Sequence, residues 1–181
     1  MEPRFNLIGA VAVNGVYGKG RGDQGKIPWN VPLDMKFFAR TTTGDGNNTV
    51  VMSRGMWSAL PEKYRPLPKR QNIVVTSSPE QFSAHGAEAV ANITQAFSIS
   101  SGEKVFVCGG HDMWHNARHL VGGIFINIIH TEPEGSDFVL FHQLRSIEKT
   151  WPEFGLETET EREEVCKISG VRVHFCFYKR R

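Results

Sequence analysis

Runs of apolar and β-branched residues alternate with segments of helical spacing along most of the chain. Such runs, bounded by Gly, Pro, Asn, Asp or Ser, are typical of β-strands. The predicted strands are Asn6–Val13, Thr49–Ser53, Asn72–Thr76, Glu88–Ala91, Lys104–Cys108, Gly123–Ile129, Glu163–Ile168 and Arg172–Tyr178. Strands separated by helices favour β-α units and a largely parallel sheet, because parallel neighbours need a crossover connection.

Three helices are predicted between these strands. Pro32–Thr43 has proline in its first turn and stops before Gly44, as expected at the two ends of a helix. Asn92 is the expected N-cap of a helix over Ile93–Ile99. A third helix is predicted over Asp112–Leu120, after the strand that ends near two glycines.

The last third of the chain predicts strands only. The turn Ser169–Gly170 joins the final two strands into an antiparallel hairpin. No internal repeat and no linker rich in Pro, Gly or Ser divides the chain. We therefore expect one α/β domain over residues 1–181, with a predominantly parallel sheet, flanking helices and the antiparallel C-terminal hairpin.

Composition and charge narrow the class of protein. The net charge is only +2, and the single basic cluster is residues 179–181, so no nucleic-acid partner is expected. The apolar stretch Val121–Ile129 is far shorter than the roughly 18 residues of a membrane helix. The cysteines Cys108, Cys166 and Cys176 are odd in number and lack metal-type spacing, which indicates reduced thiols. We expect a soluble, cytoplasmic monomer without a membrane partner.

Asp34 is the first candidate for chemistry. On the predicted helix, Phe37 and Phe38 follow it by three and four residues and so share its face. A carboxyl group on an apolar face holds its proton more firmly than in water and can protonate a bound ligand near neutral pH. The alternative, which these residues taken alone favour, is an acid placed near a helix N-terminus for its interaction with the helix dipole.

Two arginines and two glycines are further candidates. Arg54 follows a strand at the start of a short helix and could bind phosphate, although a solvated arginine is the simpler interpretation. Arg70 precedes the next strand and could hold a carboxylate in a bidentate pair. Gly109 and Gly110 would let a phosphate or ribose approach the backbone, and tight strand-to-helix packing explains them equally well.

Three histidines have helical spacing that could suggest a metal site. His111, His115 and His119 stand four residues apart, but no glutamate of an HExxH motif lies between them. We interpret them as a solvated helix face and expect no metal.

Six sequence blocks follow one another along the chain: Ile8–Gly20, Ile27–Phe38, Val50–Trp57, Arg65–Ser78, Val105–Gly110 and Glu134–Phe138. In this order they resemble the dihydrofolate reductase family, and the resemblance extends from Phe5 to Tyr178. The resemblance implies an eight-stranded, predominantly parallel sheet with four flanking helices. It also implies NADPH-dependent reduction of 7,8-dihydrofolate to tetrahydrofolate for one-carbon metabolism, with hydride transfer to C6, protonation at N5 and binding of antifolate inhibitors.

The resemblance assigns a role to particular residues. Asp34 would be the acid that bonds the pterin and promotes N5 protonation, and Trp29 and Ile27 would belong to a mobile loop over the nicotinamide. The implied substrate-binding residues are Ile8, Ala10, Asp34, Met35, Phe38, Leu67, Arg70, Cys108 and Asn127. The implied cofactor-binding residues are Ala10, Tyr17, Gly18, Lys19, Arg54, Gly55, Met56, Thr76, Ser77, Ser78, Gly109, Gly110, His111, Asp112, Met113 and Trp114.

The chain also departs from the family pattern. Met56 and Asn127 stand where threonines are usual, Ser53 replaces a glycine, and Trp114 replaces a tyrosine. Extra residues, Arg21–Lys26, precede the tryptophan of the loop. Two alternatives stay open: the fold-related NADPH-dependent pyrimidine reductase of riboflavin synthesis, and a folate-binding paralogue with reduced turnover.

Overall fold

A computed structural model describes residues 2–20, 26–134, 138–140 and 142–181. The strands are β1 Phe5–Ala12, β2 Val16–Lys19, β3 Asn48–Ser53, β4 Arg70–Val75, β5 Glu88–Val90, β6 Val105–Val107, β7 Gly123–Ile129, β8 Phe138–Leu140, β9 Phe154–Leu156, β10 Arg162–Val165 and β11 Arg172–Arg180. The helices are α1 Pro32–Thr43, α2 Arg54–Ala59, α3 Ile93–Ile99, α4 His111–Ala117 and α5 Ile147–Thr150.

The main sheet has the strand order β10-β11-β7-β1-β6-β3-β4-β5, and β9 pairs with β11 beside this path. The five pairings from β7 to β5 are all parallel, whereas the three pairings made by β11 are antiparallel. The expected predominantly parallel sheet with an antiparallel hairpin is therefore confirmed. Two counts need correction within the described residues, because the sheet has nine strands rather than eight and five α-helices accompany it rather than four.

The boundaries of the elements follow local chemistry. α1 has the predicted bounds, with proline at its first position and Gly44 at its end, where φ is 52°. Asn92 caps α3 as predicted, because its side chain accepts a bond from the backbone N–H of Gln95. α4 is shorter than predicted and ends at Ala117. β10 ends at Val165, because the chain already turns toward Gly170, where φ is 71°.

Apolar side chains cover both faces of the main sheet. On one face, α1 and α2 pack over clusters that include Ile8, Met52, Trp57, Phe106 and Phe175. On the other face, residues of α3, α4 and α5 pack against the sheet, among them Ala96, Met113, Trp114, Ala117 and Ile147. The two layers remove the parallel strands from water on both sides, as such sheets require.

One row of directly paired residues crosses four strands beneath α1. Ala10 of β1 pairs with Asn127 of β7, which pairs with Phe175 of β11, which pairs with Arg162 of β10. Paired residues point to the same face of a sheet, and Phe175 shows which one, since its ring lies 4.8 Å from that of Phe37 on α1. We call these four residues the α1 row.

Among the described residues, no helix has the length and apolar character needed to cross a membrane.

Candidate active site

Asp34 lies in the first turn of α1 and points toward the sheet. Its backbone N–H donates to the carbonyl of Val31, 3.0 Å away, so the helix begins just before it. The residue is 5% exposed, and in the described part of the chain it is the only buried residue that carries an acidic side chain. An acid in such a setting needs hydrogen-bond partners, because an unpaired buried charge is costly.

Two donors reach the Asp34 carboxyl group from different elements. The Asn127 amide Nδ2 donates to Oδ1 over 2.7 Å, and the Trp29 indole Nε1 donates to Oδ2 over 3.1 Å. Burial raises the pKa of Asp34 above its ordinary value of 3.8, and the bonds from Asn127 and Trp29 oppose this rise. The site therefore holds an acid whose proton affinity is increased by desolvation and moderated by two neutral donors.

The oxygen atom of the Asn127 amide differs from the nitrogen in its hydrogen bonding. Its Oδ1 atom is buried and has no hydrogen-bond partner among the described residues. Unpaired buried acceptors are rare in folded proteins. Because Asn127 belongs to the α1 row, this acceptor lies on the Asp34 side of the sheet.

Apolar side chains form a wall on the face of the sheet that α1, and with it Asp34, covers. Ile8, Leu67 and Cys108 are buried in one cluster, against which Phe38 of α1 packs. Burial raises the pKa of the Cys108 thiol to about 12, so this sulfur is neutral at physiological pH. The wall therefore offers no charge to a ligand.

Other residues named by the family resemblance lie at the edge of this region. Ala10 packs in the cluster that contains Trp29. Ile27 and Met35 are each 52% exposed, so neither belongs to the buried wall.

Arg70 lies near the other end of α1, at the start of β4. Its Nη1 donates to Thr42 Oγ1 over 2.6 Å, and its Nε donates to the carbonyl of Pro68 over 3.0 Å. Burial lowers the pKa of Arg70 from its ordinary value, and the guanidinium remains charged at neutral pH. The cation is thus held in one orientation, at the far end of the helix from Asp34.

A second group of residues surrounds Gly9 in the middle of β1 and the C-terminal end of β6. A Cβ atom on Gly9 would lie 2.3 Å from the Trp114 ring, so this position requires glycine. The Trp114 indole donates to the carbonyl of Val107 over 3.0 Å, and the backbone N–H of His111 donates to the Tyr17 hydroxyl over 3.2 Å. Contacts from three strands and α4 therefore fix this end of the sheet.

Gly109 and Gly110 are joined by a cis peptide bond. Gly109 has φ of 125°, a conformation that favours glycine. A Cβ atom on Gly109 would lie 3.5 Å from the Trp114 ring and 3.7 Å from Met56 Sδ, and one on Gly110 would lie 3.7 Å from the Tyr17 hydroxyl. A methyl group at either position would therefore make ordinary van der Waals contact with these atoms, and glycine instead leaves the backbone bare.

Arg54 and Thr76 follow neighbouring strands at the same edge of the sheet, since Ser53 of β3 pairs with Val75 of β4. The Ser53 hydroxyl caps α2 by accepting from the backbone N–H of Met56 over 3.2 Å. Arg54 is exposed and Thr76 is buried. This edge carries a cation beside a hydroxyl group.

The remaining named positions lie on the elements that carry these groups, and three of them, Lys19, Ser77 and Asp112, are exposed. Gly55 belongs to α2, Met113 is buried in α4, and Gly18 and Lys19 lie on β2. Ser77 is exposed, and the backbone N–H of Ser78 donates to Thr76 Oγ1 over 3.4 Å. Asp112 Oδ1 pairs with His111 Nδ1 over 3.1 Å. Of the extra residues Arg21–Lys26, only Lys26 lies inside the described ranges.

Three residues that contribute to the candidate site are not predicted from the sequence. Thr42 orients Arg70, and Asn72 holds the backbone of Leu67 through bonds of 2.9 Å in both directions. No local pattern marks either residue. Gly9 had a signal, because a glycine inside a strand often marks a close approach of another group.

A parallel sheet with one desolvated carboxyl group and an apolar wall on the same face, and with glycines at strand ends, is typical of an α/β enzyme that binds an organic ligand next to an acid. The chain belongs to the dihydrofolate reductase family, whose sequence profile matches residues 4–180.

Named relatives support this membership. The chain is 32% identical to the dihydrofolate reductase of Neisseria meningitidis serogroup B over 179 residues, which are 98% of each chain. It is 41% identical to the dihydrofolate reductase of Mycobacterium tuberculosis over 104 residues, a match that spans only 58% of the relative's length. A solved dihydrofolate reductase from Enterococcus faecalis, complexed with NADP(H) and RAB-propyl, has the same fold. Its TM-score is 0.77 at 23% identity, with 97% of this chain and 95% of that chain covered.

Proposed function

We propose that this chain reduces 7,8-dihydrofolate to 5,6,7,8-tetrahydrofolate with NADPH, and so supplies one-carbon metabolism. Membership of the dihydrofolate reductase family supports the reaction. The observation that carries the proposal is the Asp34 carboxyl group, which is 5% exposed and bonded by Asn127 and Trp29.

Asp34 would hold the pterin and promote protonation at N5. Burial raises the pKa of this acid, so that a larger fraction carries a proton near neutral pH than for a solvated aspartate. Proton transfer by a positioned acid contributes about 10²- to 10⁴-fold to a rate. Trp29 would limit access of water to the site as well as orient the carboxyl group.

The apolar wall would hold the flat part of the substrate. Ile8, Phe38 and Leu67 supply the surface on which a pterin and an aminobenzoyl ring can be buried. Ala10, Met35, Cys108 and Asn127 complete the proposed substrate-binding set. Arg70 would then pair with the glutamate α-carboxylate, because its guanidinium is already oriented by Thr42.

The residues at the ends of β1, β3, β4 and β6 fit a dinucleotide. The bare backbone at Gly109 and Gly110 suits a diphosphate, which needs a close approach to the backbone. Arg54 and Thr76, together with Ser77, suit a 2′-phosphate, which favours NADPH over NADH. When bound there, NADPH supplies the hydride for C6 of dihydrofolate. Tyr17 and Trp114 would orient its ring, and the other residues named for the cofactor would line its path.

The proposed function also includes a cellular location, an oligomeric state and binding partners. We propose that the chain acts as a cytoplasmic monomer, binds antifolate inhibitors at the Asp34 site, and has no nucleic-acid or membrane partner. The loop that contains Trp29 and Ile27 would close over the nicotinamide.

The test is an assay of NADPH oxidation, followed by absorbance, with and without dihydrofolate. We expect folate-dependent turnover by the wild type and a loss of about 10²-fold or more in Asp34→Asn. NADPH binding, followed by fluorescence titration, should be nearly unchanged in this variant. Asp45→Asn is the matched control, because it removes an exposed carboxylate just beyond the same helix.

Absence of folate-dependent oxidation by the wild type would remove the proposed reaction. Tight binding of dihydrofolate and NADPH without turnover would instead identify a folate-binding paralogue.

A further inference from the structure

Three chemically distinct side chains converge on the face of β11 that points away from α1. His174 and Cys176 alternate with Phe175 along the strand, so they share the opposite face from the α1 row. Arg162 pairs with Phe175, which places the preceding residue, Glu161, across from Cys176. The imidazole, thiol and carboxylate atoms of the three residues all lie within 4.8 Å of one another.

We propose that Glu161, His174 and Cys176 bind one divalent cation of the zinc class. Imidazole nitrogen, thiolate sulfur and carboxylate oxygen are the ligands that zinc takes in proteins. Zinc–ligand bonds of about 2.0–2.3 Å place tetrahedral ligand atoms roughly 3.5 Å apart. His174 Nε2 and Glu161 Oε1, which lie 2.6 Å apart without metal, would therefore separate slightly, and the wider separations in the cluster, up to 4.8 Å, would contract. A water molecule would complete the coordination.

One of the three proposed ligands is buried, and the other two are partly exposed to solvent. Cys176 is 3% exposed, whereas the side chains of His174 and Glu161 are 23% and 31% exposed. A hydrated ion can therefore reach the two outer ligands first and lose water as it meets the sulfur. The Tyr178 hydroxyl, which lies two residues further along the same face, forms a hydrogen bond with the Cys176 sulfur.

Metal binding would replace a hydrogen bond and a thiol S–H bond of the cluster with metal–ligand bonds. Without metal, His174 Nε2 and Glu161 Oε1 are 2.6 Å apart and share a hydrogen bond. On binding, the S–H bond of Cys176 breaks, a sulfur–metal bond forms, and the thiol proton passes to solvent. The Nε2–H bond of His174 also breaks, and a proton from solvent takes its place on Nδ1, so that the neutral imidazole binds the metal through Nε2. Burial raises the pKa of the Cys176 thiol, and repulsion from the Glu161 carboxylate adds to this rise; a bound cation offsets both effects by stabilising the thiolate.

Neighbouring charged groups define the limits of the site. Glu163 lies across from His174 on β10, but its carboxylate contacts Arg172 at 3.6 Å and His130 at 4.0 Å. We therefore assign three protein ligands and exclude Glu163 from the set.

The proposed ion would stabilise the hairpin rather than take part in the reaction. It would tie the residue before β10 to β11 on one face of the sheet, whereas Asp34 and Asn127 lie on the other. The sequence predicts no metal, because metal-binding motifs are recognised by ligands at short regular spacings. Here 13 residues separate Glu161 from His174, and only the strand register brings them together.

The experiment uses cobalt(II) as a probe on chelator-treated protein. Cobalt bound to a thiolate gives a charge-transfer absorption band, which histidine and carboxylate ligands do not give. We expect the wild type to bind one equivalent with this band, and zinc to displace the cobalt. Thermal unfolding should also move to higher temperature when zinc is added.

Variants separate this site from other thiols and histidines. Cys176→Ser should lose the band, and Glu161→Gln and His174→Gln should each weaken cobalt binding at least about tenfold. Cys166→Ser and His115→Gln are matched controls that should retain the wild-type band and affinity.

Glu161→Gln and His174→Gln change the two partly exposed ligands, so they keep the test decisive even if Cys176→Ser fails to fold. The proposal is overturned if the wild type gives no charge-transfer band. It is also overturned if the band survives Glu161→Gln and His174→Gln with unchanged affinity, or disappears in Cys166→Ser or His115→Gln.

Discussion

The Asn127 amide nitrogen lies 2.7 Å from Oδ1 of Asp34, so a neutral donor from β7 supports an acid from α1 across 93 residues of sequence. A hydrogen bond from a neutral donor stabilises the charged form of a carboxyl group and lowers its pKa. The desolvation of Asp34 acts in the opposite direction and is the larger effect. The balance between the two determines the pH at which this acid loses its proton.

Asn127→Ala should move the pH profile of the reaction. Removing the donor raises the pKa of Asp34 further, so the fall of the hydride-transfer rate with rising pH should begin at higher pH. Single-turnover rates measured across the pH range give this result. Asn127→Thr supplies a hydroxyl donor and should return the profile toward that of the wild type. A profile that stays in place in Asn127→Ala would show that the amide does not tune the acid.

Asp34→Asn should make the protein more stable at neutral pH. The pKa of Asp34 is raised in the folded state above the ordinary value of 3.8, so the folded protein binds this proton more tightly than the unfolded chain. The contribution of Asp34 to stability is therefore most favourable below pH 3.8 and is lost as the pH rises through the folded pKa. The Asn127 Oδ1 atom, which has no partner among the described residues, could accept a bond from the new amide after rotation.

Urea unfolding of both proteins at neutral and acidic pH measures this difference. The variant should have the higher midpoint at pH 7, and the difference should vanish at low pH, where both side chains are neutral. Equal midpoints at pH 7 would contradict the inferred cost of the buried carboxylate.

Arg70→Leu should weaken the binding of dihydrofolate and leave the other steps of the catalytic cycle nearly unchanged. Loss of a bidentate pair with the glutamate α-carboxylate should raise KM for dihydrofolate about 10- to 100-fold, with kcat and KM for NADPH nearly unchanged. Thr42→Val should give a smaller rise, because it removes only the bond that orients the guanidinium. Arg54→Leu is the converse control and should raise KM for NADPH instead. A dihydropterin without the glutamate should not distinguish Arg70→Leu from the wild type.

Gly9→Ala should destabilise the fold, whereas Gly18→Ala should not. A methyl group on Gly9 would lie 2.3 Å from the Trp114 ring, while one on Gly18 would meet only the Lys26 carbonyl at 3.9 Å. Overpacking of this kind costs about 1–3 kcal/mol of unfolding free energy, compared with less than about 0.5 kcal/mol for a tolerated surface change. Chemical denaturation of the two variants measures both values. Combining Gly9→Ala with Trp114→Phe should recover part of the loss, and no recovery would place the strain elsewhere.

Local signals were enough to predict the elements that carry the site. α1 has both a proline start and a glycine stop in the sequence, and its bounds agree with the prediction. The three-residue strand β9 was not predicted, because so short a segment shows no alternation and forms only by pairing with the end of β11.

The side-chain pairs of the site are less accessible to sequence reasoning. The face of Asp34 follows from helical periodicity, but its bond to Asn127 depends on the pairing of β7 with β1 and on the position of α1 above them. The residues alone favoured an ordinary helix-start acid, and only the family resemblance pointed to Asn127. The bond from Arg70 to Thr42 was not predicted, because nothing in either segment identifies its partner 28 residues away.

The α1 row makes the acid sensitive to the length of β7. Because successive residues of a strand point to opposite faces, deleting one residue of β7 ahead of Asn127 would turn this amide toward α4 and α5. A neighbouring isoleucine, Ile126 or Ile128, would then face Asp34 and offer it no hydrogen bond. Changes of chain length should therefore be tolerated in the turns at the ends of this strand and should abolish turnover within it, even where the hydrophobic core can repack.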